Sequence, residues 1–352
     1  MGRILAISLT LFGDTLLSLP ALVALRKEIP AAKIGYLVRP SFHKLFENQP
    51  FIDDVLFANT PNHKNIDGFV KAWRLYRIIR NFSPDVAFIF DGSPLYMVLI
   101  LRLAGVKKVF CVPNKGIYRL LCTNSTLGGD SELDMTKHGI EDRLKAVRLY
   151  GVEAKLTPMR LEVQKNWTAE AMNWLSQKGW LGKDIVVFQV LASHPERVWP
   201  KERFVSLALK LIGEFPDLRC VITGSPDERA YCETISALVK DERITVSAGE
   251  LSLCGLAGLL SKAILLVTPD TGAMHLGHAV GISTVCLYSW SDENRTRALD
   301  KDFDHIIIKR PPPDFPNSKP EDKANALSFV PLEDVFFACV QVIKKKNVHW
   351  NE

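Results

Sequence analysis

Long apolar runs and paired cysteines are both missing from this sequence. No run approaches the ~20 apolar residues that a membrane-spanning helix needs, and the longest candidate, residues 96–106, is interrupted by Arg102. The seven cysteines form no CxxC pair, and several lie inside apolar segments. That pattern favours buried free thiols over a metal site. With 47% hydrophobic and 24% charged residues, the composition is typical of a soluble globular protein.

Common signatures of nucleotide enzymes and hydrolases are absent as well. The sequence has no GxGxxG, which disfavours a nicotinamide or flavin enzyme, no GxxxxGK[ST] and no GxSxG. A cleavable signal pattern is also missing, so the cytoplasm is the expected location. The net charge of +5 favours acidic ligands or an anionic membrane surface. Because no basic stripe is interleaved with aromatic residues, we expect no nucleic-acid partner.

Strand-like and helix-like segments alternate in two halves of the chain. The first alternation covers residues 4–150, and a second begins at residue 184 after a crossing at residues 158–163. Such alternation predicts a parallel sheet with helices on both faces. At 352 residues the chain is long enough for two domains. We therefore predict an α/β fold of two doubly wound parallel sheets facing a central cleft, where ligands bind at strand carboxyl ends.

Residues 262–290 are the most informative stretch. They predict a strand at 263–267, a helix at 273–280 and a second strand at 284–288. Asp270 stands at the expected helix N-cap, and the backbone N–H groups of Thr271, Gly272 and Ala273 would lack intrahelical acceptors. Such a helix start can bind a phosphate, and Gly272 would let a ligand approach the backbone closely. The alternative is that Asp270 only caps a helix and the next two residues only form a turn.

Asp14 follows Gly13 in the predicted loop after the first strand. The residue would cap the next helix or act as a general base, a role worth roughly 10²–10⁴ in rate. Arg197, Lys201 and Arg203 follow the first strand of the second half and could neutralise a diphosphate, although the last two could simply be solvated.

Other polar residues in the second half are weaker candidates. Glu228, at the start of a predicted helix, would either complement the helix dipole or hold ribose hydroxyls. His275 and His278 share a helix face, where one of them could line a nucleotide pocket and a metal site is not expected.

Three motifs in order resemble those of glycosyltransferase family 9, the ADP-heptose:lipopolysaccharide heptosyltransferases. The opening motif is GDTLLSLPAL at residues 13–22, the basic-x-Trp-Pro motif is RVWP at 197–200, and the Asp-Ser/Thr-Gly-x-x-His loop is DTGAMHL at 270–276. His138 also fits the family pattern. Each motif is short, but the ordered set at family spacing is specific.

The resemblance implies a GT-B fold with two Rossmann-like domains. Residues 1–160 would bind the acceptor, residues 161–325 the nucleotide sugar, and residues 326–352 would form a helix packing back on the N-terminal domain. The implied reaction is an inverting, metal-independent transfer of heptose from ADP-heptose to the lipopolysaccharide inner core, without a cofactor. It would take place in the cytoplasm, at the inner face of the inner membrane.

Carried over to this chain, the resemblance assigns roles residue by residue. Asp14 would be the catalytic base, and Gly13 beside it would be a substrate-binding residue. Arg197 stands where the family usually has a phosphate-binding lysine, and Glu228 would hold the ribose. The remaining predicted substrate-binding residues are Ser193, Lys201, Leu251 as the adenine wall, and Asp270, Thr271, Gly272 and His275 around the diphosphate and sugar.

Two segments depart from the family pattern. Residues 288–293, YSWSDE, replace the usual Phe-Gly-x-Thr-x-Pro, and residues 190–193, VLAS, replace Pro-Gly-Ala-Ser. Both border the predicted donor site. A different sugar donor, a nucleotide-sugar 2-epimerase of the same architecture and a binding protein without turnover therefore stay open as alternatives.

Overall fold

The chain folds into two α/β units. The computed structural model describes residues 2–61, 66–90, 95–111, 121–123 and 136–349. The first unit comprises Met1–Met159 together with Asn294–Arg297, and the second comprises Arg160–Glu293 and Ala298–Glu352. Each unit is built around one parallel sheet. Among the described helices, none combines the length and the apolar character needed to cross a bilayer.

The first unit contains a five-stranded sheet in the order β3-β2-β1-β4-β5. Its strands are β1 (Arg3–Ser8), β2 (Lys33–Val38), β3 (Asp54–Phe57), β4 (Val86–Ile89) and β5 (Lys108–Cys111). Its helices are α1 (Phe12–Leu17), α2 (Leu19–Glu28), α3 (His43–Phe46), α4 (Ile66–Phe82), α5 (Leu95–Leu103) and α6 (Gly139–Arg148). All neighbouring strands pair in parallel. The winding direction changes between β1 and β4, so the loop after β1 lies at a topological switch point.

The second unit contains a six-stranded parallel sheet in the order β11-β10-β9-β6-β7-β8. Its strands are β6 (Ile185–Gln189), β7 (Arg219–Thr223), β8 (Ile244–Val246), β9 (Leu265–Pro269), β10 (Thr284–Tyr288) and β11 (His305–Lys309). Its helices are α7 (Lys165–Gln177), α8 (Lys201–Glu214), α9 (Arg229–Val239), α10 (Leu253–Leu260), α11 (Gly272–Val280), α12 (Pro320–Ala324) and α13 (Leu332–His349). The switch point of this sheet lies between the paired strands β6 and β9.

The last helix is part of the core of the second unit. Val335, Cys339 and Val342 of α13 are buried in the same core cluster as the strands and helix α8 of that unit. These residues form an apolar stripe at i, i+4 and i+7, which completes the core on one side of the second sheet. That residues 326–352 pack back on the N-terminal domain stays a prediction.

Strand β11 was not predicted, although its five residues pair with β10 along its whole length. The segment after β1 forms two helices: it is interrupted at Ser18, where α1 ends and α2 begins with Pro20 in its first turn. Proline fits a first turn because its missing N–H is not needed there.

Candidate active site

Asp14 lies in the first turn of α1 rather than in a loop. The helix begins at Phe12, so the carboxylate neither precedes the helix nor caps it, and its side chain is 39% exposed. An acidic side chain in a first turn is stabilised by the helix dipole. Because α1 starts four residues after β1 ends, the switch point of the first sheet holds this carboxylate at the carboxyl edge.

Arg143 holds Asp14 in place. Its Nη2 donates to Oδ1 of Asp14 at 3.0 Å, and its Nη1 donates to the carbonyl of Gly139 at 2.9 Å. The Arg143 side chain is only 8% exposed. The second oxygen of Asp14, Oδ2, accepts no hydrogen bond from any residue that the structure describes. The carboxylate is thus oriented through one oxygen, while the other has no hydrogen-bond donor among the described residues.

Sequence reasoning missed Arg143. A signal exists in α6, where Ile140, Arg143, Leu144 and Val147 form one stripe at helical spacing and all four are buried. An arginine on an apolar stripe must have a partner, because an unpaired buried charge is costly. The pattern predicts a partner but does not identify one that lies 129 residues away.

His138 caps α6 and is held neutral. Its Nδ1 accepts from the N–H of Ile140 at 3.2 Å, so the proton is on Nε2, which donates to the carbonyl of Arg297 at 2.9 Å. Burial lowers its pKa below the usual value. One turn later the Asp142 carboxylate accepts from Arg295 at 2.7 Å. Residues 294–297 are thereby fastened to the start of α6, the helix that carries Arg143.

Helix α11 follows the loop after β9. Its N-cap is one residue further along the chain than Asp270, the residue that was expected to cap it. Thr271 is the N-cap, with an extended backbone (φ −139°, ψ 173°) and no hydrogen bond from its side chain to the helix. Helix α11 starts at Gly272, so the first-turn N–H groups belong to Gly272, Ala273 and Met274. The prediction that Asp270 is the N-cap is therefore wrong, whereas the predicted helix end at Gly281 is confirmed by its left-handed φ of 79°.

Asp270 is paired with Arg197 instead. Arg197 ends a 3₁₀ turn, Pro195–Arg197, and its Nη1 lies 3.2 Å from Oδ2 of Asp270 and donates to the Asp270 carbonyl at 3.2 Å. Asp270 is 7% exposed, while the Arg197 side chain is 36% exposed. The contact forms because β6 and β9 are neighbours at the switch point. A guanidinium therefore lies beside the loop that leads into the amides of α11.

Of the other basic candidates, Arg203 is structural. Its guanidinium donates to the carbonyl of Val330, which also accepts from Nε1 of the buried Trp199 at 3.1 Å. The hypothesis that Arg203 neutralises a diphosphate is thus not supported by its contacts. Lys201 is the first residue of α8 and is partly exposed, and Ser193 is exposed in the loop after β6.

Glu228 ends a 3₁₀ turn after β7. Its Oε2 accepts from the N–H of Ser225 at 2.7 Å and closes that turn, so α9 begins at Arg229. Leu251 follows β8 and is partly buried. The predicted donor residues therefore follow the carboxyl ends of β6, β7, β8 and β9, along one edge of the sheet. Their roles in binding stay predictions.

His275 is buried on α11 at 5% exposure, with its ring 6.4 Å from that of His278. In the described part of the chain, no group of three or more histidine, cysteine or acidic side chains is arranged to hold a metal ion.

The two doubly wound sheets define a GT-B protein. Residues 131–325, more than half of the chain, match the family described as "Glycosyltransferase family 9 (heptosyltransferase)". The chain belongs to glycosyltransferase family 9.

Curated and solved relatives cover most of the chain at low identity. "Lipopolysaccharide heptosyltransferase 3" from Escherichia coli is 22% identical over 291 residues, 80% of this chain and 81% of that protein. A family 9 glycosyltransferase from Veillonella parvula superposes with a TM-score of 0.80 at 20% identity, over 98% of this chain and 97% of the other. The E. coli "ADP-heptose lps heptosyltransferase II" superposes with a TM-score of 0.78 at 19% identity, over 98% of this chain and 99% of the other. At these identities the structures show a shared fold.

Proposed function

We propose that this protein is an inverting, metal-independent heptosyltransferase that moves heptose from ADP-heptose to the inner core of lipopolysaccharide. The observation that carries the proposal is Arg197 beside the opening of α11, at the switch point of the second sheet. Family membership supports a transferase over the 2-epimerase alternative. The names of the E. coli relatives support the choice of donor and acceptor.

The donor's diphosphate would bind at the second switch point. The first-turn amides of α11 supply uncompensated N–H donors, and Arg197 adds a cationic fork that suits phosphate oxygens. Glu228 keeps one carboxylate oxygen for ribose hydroxyls after closing its own turn, and Leu251 offers apolar contact to the adenine. Lys201, Ser193, Thr271 and His275 would complete the site around the phosphates and the sugar.

Asp14 would act as the general base. Its Oδ2 accepts the proton of the acceptor hydroxyl while that oxygen attacks the anomeric carbon opposite the leaving group. The transition state resembles an oxocarbenium ion, and negative charge grows on the departing diphosphate. Arg197 and the α11 amides would stabilise that charge, an electrostatic contribution of the kind that is usually the largest in such reactions. Arg143 keeps the base aligned through Oδ1.

We place the reaction in the cytoplasm, at the inner face of the inner membrane, where the proposed acceptor would be anchored by its lipid. The departures at residues 190–193 and 288–293 bear on the donor sugar, so a different nucleotide sugar is the competing outcome. Acceptor-dependent release of ADP from ADP-heptose tests all of these alternatives together. An epimerase would change the donor without acceptor, and a binding protein would release no ADP.

The base assignment has its own test. We expect Asp14→Asn to lower turnover on a soluble acceptor fragment at least ~100-fold while ADP affinity, measured by calorimetry, stays within twofold of wild type. Asp67→Asn is the matched control, because Asp67 is also an ion-paired acid in a first helical turn of the first unit. Near-normal turnover by Asp14→Asn would contradict the assignment.

A further inference from the structure

Helices α4 and α5 expose an apolar surface on the first unit. Five of the fourteen large apolar side chains that are exposed in the described part of the chain lie on these two helices. They are Phe69 (75% exposed), Val70, Trp73 (54%), Leu99 and Leu103 (72%). The two helices pack against each other, and their inward residues share one core cluster with the first sheet. We call these five residues the α4–α5 face.

The opposite side of α4 is already buried in the core of the first unit. Leu75, Ile79 and Phe82 are buried against the sheet. At 100° per residue, Val70 and Trp73 lie on the opposite side of the helix from these three. The exposed side chains therefore do not belong to the core of this unit, and α4 is amphipathic with two different apolar sides.

Positive charge accompanies the apolar side chains. Helix α4 carries four basic residues and a single acid. The acid, Asp67, is paired with Lys71, and Arg80 donates to the hydroxyl of Tyr76. Arg74 and Arg77 form no ion pair with any residue that the structure describes, and both are exposed. Two guanidinium groups that have no described counter-charge thus extend from the same helix as Phe69 and Trp73.

We propose that the α4–α5 face docks on a bilayer of anionic phospholipid. Aromatic and aliphatic side chains flanked by arginine are the composition of an interfacial helix, with the apolar groups at the acyl boundary and the guanidinium groups at the headgroups. Tryptophan is favoured at that depth because its ring is amphipathic. Anionic headgroups complement Arg74 and Arg77.

A second copy of the chain fits this face less well. A symmetric dimer through α4 would place Arg74 and Arg77 of each copy near those of the other, since such an interface uses the same patch twice. Like charges brought together without counter-charges would oppose association. The α4–α5 face is thus better matched to a surface of opposite sign than to itself.

The inference rests on the proposed function in one respect, because a lipid-linked acceptor gives such docking its use. Vesicle binding needs neither donor nor acceptor, so it is measured separately from transfer. A protein that binds vesicles but transfers no heptose would contradict the proposed function alone. A protein that transfers heptose to a soluble acceptor fragment but does not bind vesicles would contradict this inference alone.

The test is flotation of the full-length protein with vesicles of phosphatidylcholine, with or without phosphatidylglycerol. We expect binding only to the mixture, weakened by added salt. Arg74→Gln/Arg77→Gln should reduce affinity about 25-fold, at roughly fivefold for each charge. Phe69→Ser/Trp73→Ser should reduce it roughly tenfold or more. Circular dichroism and turnover on a soluble acceptor fragment verify that both variants are folded.

Matched controls lie on the second unit. Phe337→Ser removes an aromatic side chain that is 64% exposed, and Lys262→Gln/Lys301→Gln removes two exposed charges. Neither should change vesicle binding. Equal loss in the controls and the α4–α5 variants would overturn the proposal. It would also be overturned if sedimentation showed that the wild-type protein self-associates through the α4–α5 face. The same holds if an acidic protein bound to this face and anionic vesicles did not.

Discussion

Replacing Arg197 should weaken ADP binding, and the structure sets the size of the effect. If Arg197 binds the diphosphate as proposed, loss of the guanidinium would remove charge-assisted hydrogen bonds, which contribute about 1.5–3 kcal/mol in similar contacts. The side chain is 36% exposed, so water replaces part of the loss, and we expect the low end of that range for the bonds alone. Loss of these bonds in Arg197→Ala should therefore raise the Kd for ADP at least about 10-fold, measured by isothermal titration calorimetry.

Asp270 makes this prediction more specific. In Arg197→Ala its carboxylate, 7% exposed, loses its cationic partner and would lie near the phosphates as an uncompensated negative charge. Asp270→Asn in the same background should recover part of the lost affinity. In the wild-type background the same change should not strengthen binding, and the non-additivity measures the coupling of the pair.

Arg203→Gln is the matched control, because Arg203 follows the same strand as Arg197 and was a weaker candidate by sequence for neutralising a diphosphate. Its guanidinium donates to the Val330 carbonyl, so the variant should lower the melting temperature and leave the Kd for ADP unchanged. The reasoning would be refuted if Arg197→Ala bound ADP like wild type, or if Arg203→Gln weakened ADP binding as much as Arg197→Ala.

Two other predictions concern stability. Burial lowers the pKa of His305 to about 4. Below pH ~6.5 the unfolded state binds a proton at this histidine, whereas the folded state binds it only near pH 4. The free energy of unfolding therefore falls as the pH is lowered from about 6.5 to 4. Urea unfolding should show that the free energy of unfolding falls by about 2 kcal/mol from pH 7 to pH 5, and that His305→Asn removes this fall. An unchanged fall in that variant would contradict the assignment to His305. A Cβ on Gly258 would lie 2.1 Å from the Trp167 carbonyl oxygen, whereas one on Gly213 meets nothing within 4 Å. Gly258→Ala should cost about 3 kcal/mol or more in unfolding free energy and Gly213→Ala should be neutral or stabilising by up to about 1 kcal/mol; equal melting temperatures would contradict the packing argument.

Periodicity predicted most of the elements because nearly every strand is buried on both sides. Strand β9 and helix α11 were predicted within two residues of their observed bounds. Strand β11 was missed since it is short, lies at the sheet edge and has polar residues at both ends, His305 and Lys309. Such a segment owes its strand structure to pairing with β10 rather than to its own pattern.

The candidate site was predictable in place but not in its pairings. Local sequence locates Asp14 and Asp270 after strands, because parallel strands bring their carboxyl ends to one edge. Local sequence does not show that Asp270 pairs with Arg197, nor that Asp14 pairs with Arg143, since both contacts are set by tertiary packing. The terminal helix has the same limit: its apolar stripe predicts that the helix packs, but does not show that it joins the core of the second unit.

Residues 294–297 have a consequence for co-translational folding. Domains at the amino end usually fold first as a chain leaves the ribosome. Here Asp142, 2% exposed, receives its hydrogen bond from Arg295, and His138 donates to Arg297, more than 150 residues further along. A nascent chain that ends before residue 294 lacks these bonds, so the start of α6 and the alignment of Arg143 with Asp14 would be completed only after residues 294–297 have been synthesised.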